Sequence, residues 1–502
     1  MTTGTLAAEK FKRIPASEVE FHKGYLGDPN GRLFTWRGEL YRGIAHHRAD
    51  FYLGLFKSGI VRRLIEIGHL VTTDLTDLQL DGYALVLKHR RILFVSYPFC
   101  WSGAMLKDAA LLTLDLDIEL ARYGLMIQDA HPFNVLFDGC RPQFVDFTAI
   151  VPAGERPVGA VNGQFRRTFT WPLQMMARGH GRIARSLLRE PDLPILPDEV
   201  ALVDAPGTRW LQSVAQPGTR WLGSVARRII PPGPRAKLRG LTSRPLTLDA
   251  RIAHLQQLRA QTGRIRVPFE HSVVRSDTER STNLVESTAP STQKQLSVHR
   301  ILTEKRPRTV LSARSEQTWF PVCAAKLGSK VVAFDPKEEP VARLHALSKS
   351  EHLDLLALVM DVRDPSPGMG LCNQAIAPAT QRLRCEMVLA LDLIPELIFK
   401  RDLNADQVVE ALAQFTERWL VLEFFPWEDP EVRRFHPEEN PFFPRGFYAW
   451  YSLDGFTRAL ARHFTTIESL PSDAKGRVLL LCERSQVHAG SNGQDPSANR
   501  RS

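Results

Sequence analysis

Two groups of polar residues stand at the ends of apolar runs in this chain, where a packed core can hold side chains out toward a ligand. The first is Asp129, Asn134 and Asp146, within GLMIQDAHPFNVLFDGCRPQFVDFTAI, Gly124 to Ile150. Two carboxylates and an amide oxygen are hard donors of the kind that hold magnesium and its phosphates. The second is Asp335, closing the run KVVAFDP, and Asp361, closing LLALVMD. A carboxylate after a strand can accept two hydroxyl hydrogen bonds, or one from an exocyclic amine. Both groups have plainer readings: Asp and Asn tie loops, and Asp335-Pro336 suits a helix cap.

These residues need elements to position them. At 502 residues with 43% hydrophobic and 24% charged side chains, the chain is long enough for two or more globular cores and too apolar to be disordered. No apolar run approaches the ~18–20 residues of a membrane span, and the opening stretch lacks a secretory pattern, so a cytoplasmic location is expected. The six cysteines show no CxxC or paired spacing, which argues for reduced thiols and against a zinc site. The net charge of +10 and pI of 9.4 are spread diffusely, with no recognition motif, so nucleic acid is not an expected partner. The densest cluster, Lys88-His89-Arg90-Arg91, reads as a hairpin turn between strand-like runs 83–88 and 92–97.

In the first half a hairpin is expected over Leu33–Trp36 and Leu40–Ile44, followed by helical periodicity from Phe51 to Ile67. A longer helix is expected from Ala104 to Tyr123, ended by Gly124. The second half alternates strands (309–313, a run to Asp335, a run to Asp361, 386–391, WLVLEF) with helices near 320–327, 339–348 and after Asn404. Asn404 with Gln407 is a capping box, and Phe456, Leu460 and Phe464 suit a last helix before two closing strands. That order predicts a doubly wound α/β sheet. Domain limits follow: a tail 1–23, a unit 24–190, a connector 191–290, a unit 291–484 and a polar tail 485–502. The connector contains the duplication PGTRWLQSVAQ–PGTRWLGSVAR, too few copies for a solenoid.

The Asp129 segment resembles the catalytic core of the protein-kinase-like and aminoglycoside-phosphotransferase-like superfamily. The resemblance implies that Asp129 orients an attacking hydroxyl while Asn134 and Asp146 bind magnesium for Mg-ATP, with Asp138-Gly139 turning the intervening hairpin. No glycine phosphate loop or strand lysine precedes it, since Lys57 and Lys88 lie in the wrong contexts, and a kinase-like scaffold is therefore favoured over active phosphoryl transfer.

From about Gly24 to Arg484 the chain resembles a bacterial family of methyltransferase-like proteins, some labelled nodulation-related, with a long amino-terminal extension. The likeness is carried by FVSYPFCWSGAMLKDAALLTLD, VVAFDP, LVMDVRDPSPGMG, LEFFPWEDPEV and YSLDGFTRALARHF. It implies a Rossmann-like class I methyltransferase sheet behind an α+β kinase-like domain. It also implies S-adenosylmethionine as cofactor, held at Asp335 (ribose), Asp361 (adenine) and the loop residues Ser312, Arg314 and Thr318. Where the family has D-x-G-x-x-x-G, this chain reads Ser312-Ala313-Arg314-Ser315-Glu316-Gln317-Thr318, which removes the glycines that let main chain approach the cofactor. After strand four, Pro395-Glu396 replaces a histidine pair; Glu396 and Glu423 are the weak candidates for a catalytic base. Three functional readings stand at this point: a methyltransferase acting on a small-molecule or glycan acceptor, a binding scaffold with a degenerate cofactor loop, and a phosphotransferase in the first half.

Overall fold

The computed structural model describes residues 12–22, 28–190, 195–196, 199, 247–270, 289–435 and 445–484. The duplicated segment 206–227, the stretch 271–288 of the expected connector and the tail 485–502 lie outside the described residues.

The first half builds a five-stranded antiparallel sheet from β1 (Glu20–Phe21), β2 (Gly31–Trp36), β3 (Glu39–Ile44), β4 (Thr73–Leu75) and β5 (Leu85–His89), in the order β1-β2-β3-β5-β4. Residues 12–22, expected as tail, thus supply an edge strand, and Ile14 is buried under it. Two helices, α1 (Ala49–Lys57) and α2 (Ile60–Glu66), replace the single helix expected over 51–67, because Gly59 adopts a left-handed φ of 77° between them. The expected hairpin 83–97 does not form. β5 pairs instead with β3 and β4, and 90–97 runs on as an unpaired connection, anchored where Arg90 bonds Asp138 at 2.6 Å. The basic cluster therefore sits at a crossover and not at a hairpin tip.

Beyond that connection, α3 (Gly103–Ala121) is buried along most of its length, and Gly124 follows it with φ 72°. The hairpin β7 (Val135–Asp138) and β8 (Arg141–Phe144) lies beside it, and the pair β6 (Leu125–Ile127) and β9 (Ile150–Pro152) closes the lower lobe. The expected connector 191–290 contains a further helix, α4 (Leu248–Gly263), which packs on α3. Its buried face, Arg251, Leu255, Leu258 and Thr262, has helical spacing with an arginine where an apolar residue would be expected. Arg251 is satisfied by Asp117 at 2.8 Å and the Leu125 carbonyl at 2.7 Å, so the polar letter hides a core position.

The second half opens with α5 (Gln293–Lys305), capped by Thr292 and Gln295. Its sheet comprises β10 (Thr309–Ser312), β11 (Lys330–Asp335), β12 (Leu355–Val359), β13 (Cys385–Ala390), β14 (Thr416–Phe424), β15 (Phe464–Pro471) and β16 (Val478–Arg484). The order is β12-β11-β10-β13-β14-β16-β15, with β16 antiparallel to both neighbours. Strands covered on both faces read as unbroken apolar runs, which is why LLALV and VLLLC could be located from sequence. The helices are α6 (Trp319–Lys326), α7 (Glu338–Ser350), α8 (Ala405–Phe415) and α9 (Leu453–Leu460). The Asn404 capping box forms as expected. Phe464 belongs to β15 rather than to the last helix, and β12 stops at Val359, two residues short of Asp361.

The halves are packed against each other, and one hydrophobic cluster runs from Ile44 to Cys482. At the junction Glu338, the first residue of α7, accepts from the Gly103 amide at 2.8 Å and from Arg185 at 2.7 Å. Asp108 of α3 meets His345 Nε2 at 2.9 Å and Lys349 Nζ at 2.7 Å. Gly139 turns the β7–β8 hairpin with φ 58°, and a Cβ there would stand 3.1 Å from the Asp354 Cα.

Burial acts to raise the Asp108 carboxyl, but His345 and Lys349 outweigh it and hold it below its ordinary value. A depressed carboxyl stabilises the fold above its unfolded value of 3.8, and the contribution is lost as pH falls through the lower folded value. Asp108→Asn should therefore cost about 1–2 kcal/mol at neutral pH, allowing for the exposure of Lys349. Denaturant unfolding of both proteins checks this: the gap should narrow once the pH is well below 3.8.

Candidate functional site

In a sheet of this order the direction of winding reverses between β10 and β13, and a crevice opens beyond their carboxyl ends. A cavity of about 380 Å³ lies there, lined among others by Ser312, Arg314, Lys337, Asp392, Glu396 and Arg477. The strand order and the antiparallel seventh strand decide the fold. The second half has the class I methyltransferase fold.

The rewritten loop is held by its own side chains. Ser312 Oγ donates to the Arg314 carbonyl at 2.8 Å, and buried Ser315 donates from Oγ to the Phe334 carbonyl at 2.7 Å. The Arg314 guanidinium reaches across the crevice to the Asp392 carbonyl at 3.0 Å, Glu396 at 3.1 Å and Glu316 at 2.7 Å. Side chain thus occupies the approach that glycines would leave open. Thr318 stands half-buried at the start of α6 and makes no side-chain cap bond.

The two acids expected to bind the nucleoside stand at the same edge of the sheet, where the Met360 amide donates to the Asp335 carbonyl at 3.0 Å, but neither carboxylate lines the crevice. Asp335 is 2% exposed, and its carboxylate accepts from the Ser315 amide at 3.3 Å and the Lys337 amide at 2.9 Å, so it sits behind the loop and outside the cavity lining. Burial raises its pKa against those donors and Arg314. Asp361 is engaged by Arg363 at 2.6 Å and lines a different cavity of about 400 Å³ between the halves, with Arg182, Arg185 and Arg189.

Of the candidate bases, Glu396 does line the crevice. Burial acts to raise it, but Lys400 and Arg314 outweigh burial and hold it below its ordinary value, which suits an ion-pair partner better than a base near neutral pH. Glu423 is fully buried and accepts from Ser472 at 2.6 Å, from the Asp392 amide at 3.1 Å and from Lys294 at 3.1 Å. Burial, then the charge of Asp392, raises its pKa against the pull of Lys294. It braces the site from behind.

Sequence reasoning missed Lys294, Asp392 and Arg477. Lys294 is 2% exposed and bonds both Asp392 oxygens, at 3.0 and 2.8 Å. Asp392 itself has a φ of 53°, and Arg477 makes a two-pronged pair with buried Asp429 at 2.7 and 2.9 Å. A charged residue in register with the buried face of α5 (Ser297, Val298, Ile301 and Leu302), as Lys294 is, was the available signal. Taken together, the crevice presents cations (Arg314, Lys337, Arg477) beside carboxylates (Asp392, Glu396), a lining suited to a zwitterionic group.

In the first half, Asn134 and Asp146 line a second cavity, of about 690 Å³, between the five-stranded sheet and the β7–β8 hairpin. Asn134 and Asp146 are neighbours through the Val145 amide, which donates to the Asn134 carbonyl at 2.9 Å. Asn134 Nδ2 donates to the Asp129 carbonyl at 3.0 Å, the loop-tying role noted above. Asp146 faces a cation that sequence did not supply as a lysine: Arg42 of β3, 3.1 Å away and also 3.1 Å from Asp28. The Thr148 hydroxyl lies between the two carboxylates and bonds Arg42. Of the expected magnesium pair, the Asp146 carboxylate is thus engaged by the chain's own groups, while Asn134 is tied through Nδ2 and not through the oxygen that would bind a metal. Among the described residues no cluster of three or more His, Cys, Asp or Glu is arranged to hold a metal ion.

No family model matches the chain. It is 26% identical over 471 residues to the nodulation protein NoeA of Rhizobium meliloti (strain 1021), covering 92% of this chain and 96% of that one. It is similar to the magnesium protoporphyrin IX methyltransferase ChlM of Synechocystis PCC 6803, a structure with bound S-adenosylmethionine, at 12% identity and TM-score 0.25 over 44% of this chain and 99% of that one. It is also similar to the bifunctional kinase-methyltransferase WbdD, at 14% identity and TM-score 0.25 over 42% of this chain and 40% of WbdD. Among the described residues no helix is long and apolar enough to cross a membrane.

Lys294→Met should destabilise the protein by about 3–5 kcal/mol, since buried Glu423 would lose its ammonium while facing Asp392, with only the more distant Arg477, 4.0 Å from Asp392, left nearby. Guanidinium unfolding at neutral pH measures this; a loss under about 1 kcal/mol would show that the pair is dispensable.

Proposed function

We propose that this chain is a methyltransferase-family protein that uses the crevice beyond β10 and β13 for S-adenosylmethionine and a small-molecule or glycan acceptor. The observation that carries the reading is a mixed-charge cavity at the reversal point of a sheet with the methyltransferase strand order. The amino-acid end of the cofactor carries a carboxylate and an ammonium, which the cations and carboxylates of the crevice can match. The nucleoside end fits less well. Asp335 must release the Ser315 amide before a ribose can reach it, and Arg314 must leave its bonds to Asp392 and Glu396. The sulfonium supplies the methyl when bound; the residues of this chain can align the acceptor and exclude water.

Those same interlocks favour a second reading, a binding scaffold in which the loop stays shut. The phosphotransferase reading gains nothing from the first half, because Arg42 already pairs with Asp146. A cytoplasmic location accompanies the first two readings as an expectation.

Calorimetric titration separates them. The unaltered chain should bind S-adenosylmethionine weakly, and the Arg314→Gly/Thr318→Gly double variant should bind it at least about tenfold more tightly, a gain of about 1.4 kcal/mol. If neither protein binds S-adenosylmethionine or S-adenosylhomocysteine, the scaffold reading stands and the methyltransferase reading falls.

A further inference from the structure

The cavity of about 400 Å³ between the halves has a size typical of small-molecule sites and walls of opposite charge. One wall is the short helix Gly181–Leu187 of the first half with the turn after it, where Arg182, Arg185 and Arg189 recur at steps of three and four residues and so share a face. The Arg189 amide donates to the Ser186 carbonyl at 3.3 Å, which keeps the last of the three in register. The facing wall is the loop after β12, where the Asp364 amide donates to the Asp361 carbonyl at 3.1 Å and sets the two acids side by side.

Both walls are braced by pairs of their own. Arg185, 9% exposed, gives Nη1 to Glu338 at 2.7 Å. Gly181 allows that approach, since a Cβ there would stand 2.6 Å from Glu338 Oε2. Across the gap, Arg363 takes up the Asp361 carboxylate at 2.6 Å. Three charges are then left over. Arg182, Arg189 and the Asp364 carboxylate make no side-chain hydrogen bond or ion pair among the described residues, and no ion pair joins the two walls. The Arg189 guanidinium rests 6.0 Å from the centre of the Phe99 ring, which also lines the cavity. Arg185 keeps Nε and Nη2 unused beside them. A phosphate monoester carries about −1.5 to −2 charges at neutral pH, and its oxygens match guanidinium forks in pairs. Two uncommitted guanidinium groups balance that charge, and a carboxylate opposite them repels a second anion but accepts from a hydroxyl.

We propose that this cavity binds a phosphate monoester of a small hydroxylated molecule, with Arg182 and Arg189 holding the phosphate, Arg185 adding a donor from a fixed position, and Asp364 accepting from a hydroxyl. The proposal is independent of the methyltransferase reading, because none of these residues lines the crevice beyond β10 and β13.

The test uses glycerol 3-phosphate, glycerol and inorganic phosphate as probes, by calorimetry on the full chain without S-adenosylmethionine. Glycerol 3-phosphate should bind, with glycerol and inorganic phosphate each at least about tenfold weaker, the first for want of the anion and the second for want of the hydroxyl. Arg182→Gln/Arg189→Gln should weaken glycerol 3-phosphate at least about tenfold while unfolding at the same denaturant concentration as the unaltered protein, since neither arginine is paired. Asp364→Ala should narrow the gap between glycerol 3-phosphate and inorganic phosphate; should the double variant fail to fold, this narrowing still decides. No binding of glycerol 3-phosphate, equal affinity for glycerol, an unchanged affinity in a folded Arg182→Gln/Arg189→Gln protein, or an unchanged gap in Asp364→Ala would each overturn the proposal.

Discussion

The crevice of the second half depends on one buried ammonium. Lys294 enters from α5 and bonds Asp392 after β13 and Glu423 on β14, so that helix and the ends of two parallel strands are fixed by a single charge. Glu423 is fully buried, and its pKa is raised by burial and by the charge of Asp392 against the pull of that ammonium. The Asp392 backbone is held at a positive φ that its residue type tolerates better than most, and its carbonyl is thereby left for Arg314.

Both halves share a device. In each, a guanidinium from the chain stands among the acids that the sequence marks as functional: Arg42 beside Asp146, Arg314 beside Glu396 and the Asp392 carbonyl. A guanidinium is a permanent cation with donors in a fixed fork, so it can satisfy a carboxylate and a carbonyl together where a lysine would meet one point. The consequences differ. In the first half Arg42 pairs with Asp28 and Asp146 in the lining of the cavity. In the second, Arg314 bridges the mouth of the crevice, and ligand entry has to break the bonds it makes.

How much was legible in the sequence follows from how local each signal is. Strands buried on both faces announce themselves as apolar runs, and the Asn404–Gln407 cap lies within one helical turn, so the sheet and its helices could be read directly. The catalytic-core spacing also located the β7–β8 hairpin correctly. What failed was long-range. Arg251 makes α4 look like linker, and only Asp117 and Leu125, far away in sequence, turn it into a core residue. The strand-like run 92–97 found no partner because β5 was already paired on both sides. Asp335 and Asp361 fall at or near strand ends as expected, but strand ends do not say which way a carboxylate turns: one went to the main-chain amides behind the loop, the other to Arg363. Lys294, Asp392 and Glu423 come from three separate segments, and no local pattern joins them.

The junction binds the two halves through a pair of helices. The likeness to NoeA covers 92% of the chain, both halves included. α7 begins immediately after Asp335-Pro336-Lys337, and its first residue, Glu338, holds the amide that opens α3, the central helix of the first half. Further along, His345 and Lys349 of α7 hold Asp108 of α3, so the two helices are joined at both ends of their contact. The carboxylate of Asp335 bonds the amide of Lys337, one residue before Glu338. The Asp335 carboxylate thus lies within three residues of the side chain that anchors the first half.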